Sequence, residues 1–518
     1  MCNAAKPWLY VKRSIGSAVA GSKKGQIPFE RLPGPWALPV LGPINDAVRL
    51  GNPKTFLIVF HQHQLFSLHL TVSNYHRKFG PIFRIKISQA NAVFIKDPEM
   101  MRSVFVYEGK YPKHPLPESW TYFNQKHKCK RGLFLCKYIF EIKVQYNSLM
   151  LFRDDEEWFK YRKLLNPLMM RDTDWMVLPI QRMCEKAVQS LSEGVTKDNP
   201  SYEIQNIEST LYKWSIEVIL CIMLGNSYNT TNMAKLNTLV NDFSRTVHTI
   251  FQYSSELMMI PPHLADCLQL SAWKKFERLV PETLALANKI IDISLDDIER
   301  GDGLLSKMQD CIASRDDIKR IFADLIIAAG DTTSFSMIWC FYLLGRHQIL
   351  QDQIRSGIYE NFKSPHPLVI GTVREALRMF PVAPFIGRIL KKDAVIGEYS
   401  IPKHTLVLLS LYSAGRDETN FHSPEEFLPQ RWIRNNDQSC SFSPFKSHAS
   451  LPFAIGSRSC IGRKIAQNQM HTLLAMVLKK YRLSVLNEQE IFPELKMITV
   501  PNEKLRLSLE NCSIWLLK

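Results

Sequence analysis

Paired cysteines are missing from this chain. Its 518 residues include 11 cysteines, but none stands in a CxxC arrangement or a paired framework, which argues against a disulfide-stapled secreted scaffold and fits a reducing compartment. Internal repeats are absent too, and no Gly/Ser-rich or charge-run linker interrupts residues 80–518. One large globular unit over 30–518 follows, and at 46% hydrophobic residues the chain can bury a large core. No nucleic-acid motif accompanies the net charge of +16 and pI near 9.2; with nucleic acid set aside, that charge points to anionic lipid or an acidic protein partner. Acidic residues do not occur in the first 29 positions, where Lys6, Lys12, Arg13, Lys23 and Lys24 interleave with Trp8, Leu9, Tyr10, Val11, Ile15 and Val19. Residues 1–29 resemble a mitochondrial presequence, with a disordered basic tail as the alternative. Their apolar stretches are too short for a membrane anchor, which needs about 20 apolar residues. Leu32-Pro33-Gly34-Pro35 then reads as a stiff turn opening the folded part.

Beyond Val93 the apolar residues recur at three- and four-residue spacing through 158–171, 205–225, 233–251, 273–299, 317–345, 371–380 and 464–481. Strand-like pieces are few: 81–87, 92–95, 394–399 and 405–409. The fold class predicted is mainly α with a small β portion. Ile321 to Leu344 is apolar enough to imitate a membrane span. Asp324 and Asp331 argue for a buried core helix instead, since a carboxylate near a bilayer centre costs about 2.5–3.5 kcal/mol on insertion scales.

Four motifs stand out against that pattern. Phe453-Ala-Ile-Gly456-Ser-Arg458-Ser-Cys460-Ile-Gly462 sets one thiol in a Gly-punctuated turn ahead of the helical run Arg463 to Tyr481. A thiolate there can ligate haem iron. Gly456 and Gly462 allow tight bending and close approach of a flat cofactor, amides at the helix start stabilise the sulfur, and Arg458 can pair with a propionate. A lone cysteine is otherwise most often a buried structural residue. Ala328-Ala-Gly330-Asp331-Thr332-Thr333 interrupts the apolar helix with a helix-weakening glycine and a threonine whose hydroxyl can turn back onto a carbonyl one turn earlier. Glu375-Ala-Leu-Arg378 places opposite charges at i and i+3, a spacing that by itself usually marks a solvated surface pair. Trp158-Phe-Lys-Tyr-Arg162 puts Trp and Arg on one helix face at i and i+4.

In this order, over roughly residues 30–510, these motifs resemble the cytochromes P450. The resemblance implies the P450 fold and haem b, with Cys460 as the axial metal ligand. Phe453 and Gly462 would frame the cofactor, and Arg458, Trp158, Arg162 and Arg388 would meet its propionates. It also implies that Asp331 and Thr332 relay protons to bound O2, and that Glu375, Arg378 and Arg431, the last within Phe427-Leu-Pro429-Gln-Arg431-Trp432, form a structural triad. One departure stands out: the groove glycine of the usual pattern falls at Ala329, with Gly330 one place later.

The leader, the lack of an anchor and Tyr111-Pro-Lys-His-Pro-Leu-Pro-Glu118-Ser-Trp120 resemble the mitochondrial branch rather than the P450s of the endoplasmic reticulum. That implies electrons from a [2Fe–2S] ferredoxin and its NADPH-dependent reductase, and peripheral association with the matrix side of the inner mitochondrial membrane. The docking candidates are Arg374, Arg463 and Lys464. Of the two basic helix positions that the branch uses, only Arg374 matches, the other being Ile370. The phrases 328–334 and 381–388 are similar to the arthropod ecdysteroid 2-hydroxylases of the Halloween group. They imply a steroid substrate and 2-hydroxylation in moulting-hormone synthesis. The alternatives are a P450 acting on another sterol and a non-catalytic haem- or sterol-binding protein. Cys136 to Phe152 looks like an insertion, either a retained intron or gene-model error or a substrate-access loop; residues 56–70 are a weaker second case.

Overall fold

The computed structural model describes residues 26–35, 37–38, 42–43, 67–87, 90–115, 117–128, 153–195, 202–225, 228, 233–258, 260–296, 302–309, 314–358, 365–433 and 445–512. Most of the expected leader, the 136–152 segment and residues 56–66 lie outside these. The α-helices described are α1 (Leu68–Phe79), α2 (Pro98–Tyr107), α3 (Glu118–Lys126), α4 (Arg153–Asn166), α5 (Val177–Glu193), α6 (Ile207–Leu224), α7 (Met233–Glu256) and α8 (Pro262–Cys267). They continue with α9 (Ser271–Asp296), α10 (Leu304–Gln309), α11 (Arg315–Gly345), α12 (Gln348–Gly357), α13 (Pro367–Met379), α14 (Leu411–Gly415) and α15 (Arg463–Lys480). The seven helical periods read from the sequence each coincide with one of these to within a few residues; α4 runs on into a π-turn at Pro167–Arg171.

Helix α11 runs through the interior. Ser314 caps it by accepting from the Asp317 amide, Asp316 and Asp317 supply negative charge in the first turn, and residues from Ile318 to Gly345 are mostly buried. It packs on α6, α9 and α13, so its all-round apolar surface is covered by protein rather than lipid.

Strands β1 (Ala37–Leu38) and β2 (Gly42–Pro43) pair locally. A four-stranded sheet is built from β3 (Ile82–Ile87), β4 (Ala90–Ile95), β5 (Phe385–Ile389) and β8 (Leu406–Ser410), in the order β3-β4-β8-β5. Its two-residue alternation sends Phe83, Ala92, Phe94, Phe385, Leu406 and Leu408 toward α1, while Ile82, Val93, Ile95, Val407 and Leu409 join the cluster containing Phe29 and Leu451. The predicted strand 394–399 is instead a hairpin, β6 (Ala394–Ile396) and β7 (Tyr399–Ile401), because Gly397 takes φ +59° and reverses the chain. The C-terminal pairs, β9 (Tyr481–Val485) with β12 (Leu507–Asn511) and β10 (Pro493–Lys496) with β11 (Ile498–Pro501), were not among the expected strands.

The folded part begins earlier than residue 30. The Ile27 amide donates to the Glu398 carbonyl, Ser400 donates back to Ile27, and Phe29 is buried, so the last residues assigned to the leader belong to the body. The Leu32–Pro35 turn packs on β3: Arg84 donates to the Pro33 carbonyl, and a Cβ on Gly34 would lie 2.1 Å from the Arg84 oxygen.

Candidate functional site

The loop that carries the thiol is shaped by backbone as much as by side chains. Ala454 and Gly456 take φ of +53° and +84°, and the Cys460 amide donates to the Phe453 carbonyl at 2.8 Å, closing the loop immediately before α15. Gly456 is required by its positive φ and by packing: a Cβ there would lie 2.1 Å from Glu108 Oε1. Gly462 differs. It precedes α15 as N-cap, and an added Cβ would meet only Cys460 Sγ, at 3.9 Å. Among the described residues, the space beside the sulfur is thus a cradle that side chains do not fill.

Cys460 is exposed on the side of Gly462, while the rest of its surroundings is protein. Burial pushes its thiol pKa up. The amides of Gly462 and Arg463 and the guanidiniums of Arg162 and Arg463 pull it back down. These are the helix-start donors and cations that a thiolate needs.

Arg162, Trp158 and, through Glu108, Arg388 gather at residues 457–460, where Arg458 adds a third guanidinium. Arg162 of α4 is buried, reaches Ser459 Oγ at 3.4 Å and has an Nε with no hydrogen-bond partner among the described residues. Burial lowers its pKa to about 10, against the pull of Cys460. Arg458 stacks 3.9 Å over the buried Trp158 ring while its Nε donates to the Pro112 carbonyl. Arg388 of β5 is committed first to protein: its Nε donates to Glu108 Oε2 at 2.8 Å, leaving Nη2 buried without a partner. Glu108, which the sequence reading passed over, joins this arginine to the loop by accepting from the Ser457 amide at 3.2 Å. Burial raises its carboxyl pKa, and Arg388 opposes the rise. Its only sequence signal was its place just before the quoted 111–120 phrase. Orphaned guanidinium donors in a buried setting cost stability unless an anion meets them. With the open cradle at the sulfur, they fit a flat cofactor bearing two carboxylates.

The other motifs resolve into two kinds. Glu375 and Arg378 are fully buried and joined by two bonds, Nε to Oε2 at 2.9 Å and Nη2 to Oε1 at 2.8 Å. Arg431 Nε, the Trp432 indole and the Leu428 amide also donate to Glu375, while Arg378 caps the carbonyls of Gly415, Pro424 and Glu426. On α11, Thr332 is the exposed residue of a buried stretch, and its hydroxyl donates to the Ala328 carbonyl at 2.6 Å. Asp331 points elsewhere. It is 1% exposed and lies 3.7 Å from His248 Nδ1 of α7. Gly330 makes room for α6: a Cβ there would lie 2.7 Å from the Tyr212 hydroxyl, and the Gly330 carbonyl accepts from Ser215 Oγ. The displaced glycine therefore serves packing between helices. Arg374 is exposed, with its guanidinium over Trp432, and Arg463 and Lys464 are half-buried.

Comparisons with known proteins agree with one another. The family model described as Cytochrome P450 matches residues 50–509. The chain is 39% identical over 502 residues to Cytochrome P450 315a1, mitochondrial, of Drosophila melanogaster, covering 93% of this chain and 88% of that protein. It is 26% identical over 467 residues to the mitochondrial cholesterol side-chain cleavage enzyme of Oncorhynchus mykiss, covering 86% and 85% respectively. It is 24% identical over 518 residues to Cytochrome P450 11B2, mitochondrial, of Mesocricetus auratus, covering 96% of each.

Proposed function

Because the chain belongs to the cytochrome P450 family of haem-thiolate monooxygenases, we propose that it hydroxylates a steroid, at C2 of a 2-deoxyecdysteroid, on the matrix side of the inner mitochondrial membrane. The observation that carries this reading is its similarity, over most of its length, to an insect mitochondrial P450. The 328–334 and 381–388 phrases, similar to the ecdysteroid 2-hydroxylases, support it. Electrons would come from a [2Fe–2S] ferredoxin, an acidic partner suited to the basic positions Arg374, Arg463 and Lys464.

Haem, when bound, supplies the redox chemistry that activates O2 and inserts one oxygen atom into a C–H bond. The protein's part is holding, shielding and proton handling. Cys460 would ligate the metal, with the Gly462 and Arg463 amides stabilising its sulfur. The free Nε of Arg162 and free Nη2 of Arg388 are the donors left for the cofactor's carboxylates, and Arg458 on Trp158 adds a third cation. Phe453 sets the loop through its carbonyl. Thr332 spends its hydroxyl proton on Ala328, so its lone pairs can accept a proton-bearing group on its exposed side. Asp331 is the adjacent acid able to carry that proton.

Incubation of 2-deoxyecdysone with the protein, ferredoxin, reductase and NADPH should give a product heavier by one oxygen atom, with the new hydroxyl at C2. Turnover of other sterols or fatty acids alone would end the steroid-hormone reading while leaving the monooxygenase intact.

A further inference from the structure

Asp331 presents a problem that the proposed relay does not solve by itself. Its carboxylate is buried, neither oxygen accepts a hydrogen bond from a described residue, and it turns away from the exposed face of α11 that carries Thr332. Adjacent helical residues point about 100° apart. A buried carboxylate needs a partner and, to relay protons, a source of them. Its ion-pair partner is His248, 3.7 Å away on α7, whose side chain is 54% exposed. The two line a cavity of about 10 Å³ together with Phe335 and Lys496, close to the lower limit for one water molecule. Phe335 stacks on the imidazole at 6.2 Å.

We propose that His248 is the proton port of this enzyme, a solvent-facing positioning residue that loads Asp331 and releases it toward Thr332. The inference rests on the assignment of proton delivery to Asp331 and Thr332. The His248 Nδ1–H bond breaks, and its proton passes directly or across one water to Asp331 Oδ1, where an O–H bond forms. The electron pair left on Nδ1 takes the next proton from solvent. Transfer leaves both groups neutral, so the attraction that holds Asp331 toward α7 vanishes at the moment the carboxyl carries a proton. The surroundings favour a loaded imidazole. Asp331 from α11 and Glu208 from α6 raise its pKa, against the loss of water on its protein-facing side and Lys496 from β10; Glu208 in turn feels Lys504 and Lys496.

Two readouts test the port. The titration of His248, followed by deuterium exchange at its ring carbon and mass spectrometry, should have a midpoint above that of an ordinary histidine and should fall in Asp331→Asn. Peroxide released per NADPH should rise in the wild type as pH climbs through that midpoint. It should be high and flat with pH in His248→Gln. His248→Arg should behave like His248→Gln, since arginine keeps the charge but does not give up its proton. A His248 midpoint unmoved by Asp331→Asn, or wild-type coupling in His248→Arg, would overturn the port. If Thr332→Ala uncouples while His248→Gln keeps the wild-type profile, only the port fails; if Thr332→Ala stays coupled, the relay assignment fails first.

Discussion

Replacing Glu375 with Gln keeps the side chain's shape and removes one charge, which makes it the sharpest probe of what holds the cysteine-side core together. Glu375 Oε1 accepts from Arg378 Nη2, Arg431 Nε and the Leu428 amide, and Oε2 from Arg378 Nε and the Trp432 indole. A glutamine has one acceptor oxygen. Whichever way it turns, its NH2 group faces at least two of these donors. Two guanidiniums would also remain in a site where Arg378 and Glu375 are 0% exposed. Removing one partner of such a buried pair costs about 3–5 kcal/mol, set against a typical total of about 5–15 kcal/mol. At about 1.4 kcal/mol per factor of ten, the unfolded fraction should rise by two to three and a half orders of magnitude.

The chain supplies its own control. Glu99 and Arg102 have the same spacing and a 3.2 Å contact, but their side chains are 68% and 34% exposed. Glu99→Gln should therefore cost no more than about 1 kcal/mol. Urea denaturation of both variants, followed by tryptophan fluorescence, compares them. Arg431→Leu should fall between them, since Glu375 keeps both bonds from Arg378. A Glu375→Gln midpoint equal to that of Glu99→Gln would show that the buried network does not stabilise the fold.

Cys460→Ala should abolish the reduced-CO absorption band of a thiolate-ligated haem, and persistence of that band would remove Cys460 as the ligand. Thr332→Ala should retain haem but release more peroxide per NADPH; an unchanged ratio would place proton delivery elsewhere. Gly330→Ala gains about 1 kcal/mol of helix propensity but drives a methyl into Tyr212, so a net loss of about 1–2 kcal/mol is expected. That loss should shrink in a Tyr212→Leu background, as denaturation midpoints would record. His69, His76 and His471 have pKa values lowered to about 4, mainly by burial, helped by Arg416, Lys96 and Arg374 respectively. Between 6.5 and about 4 the unfolded chain binds protons that the folded chain does not. Their stabilisation is therefore whole above pH 6.5 and is lost as pH falls toward 4. Denaturation midpoints should drop across that window, and less steeply in His69→Phe.

Local grammar carried much of this protein. The helical periods were legible because each needs only its own residues at 3.6 spacing, and the cysteine loop because its turn, thiol and helix start lie within ten positions. The C-terminal strands were not. Tyr481 read as the end of a helix, whereas its pairing with Asn511 decides that it begins a strand, and so short a run does not choose between the two by itself. The same limit governs the site. Glu108 becomes the brace of the thiol loop only when the fold brings it to the Ser457 amide, 349 residues on, and Gly330 acquires its purpose from Tyr212 on another helix. His248 was one polar residue in an amphipathic helix until α7 crossed α11 beside Asp331. Glu99-Met-Met-Arg102 and Glu375-Ala-Leu-Arg378 are one pattern in the sequence. Tertiary structure makes the first a solvated surface pair and the second a buried network, because burial removes the competing water and supplies three more donors to a single carboxylate.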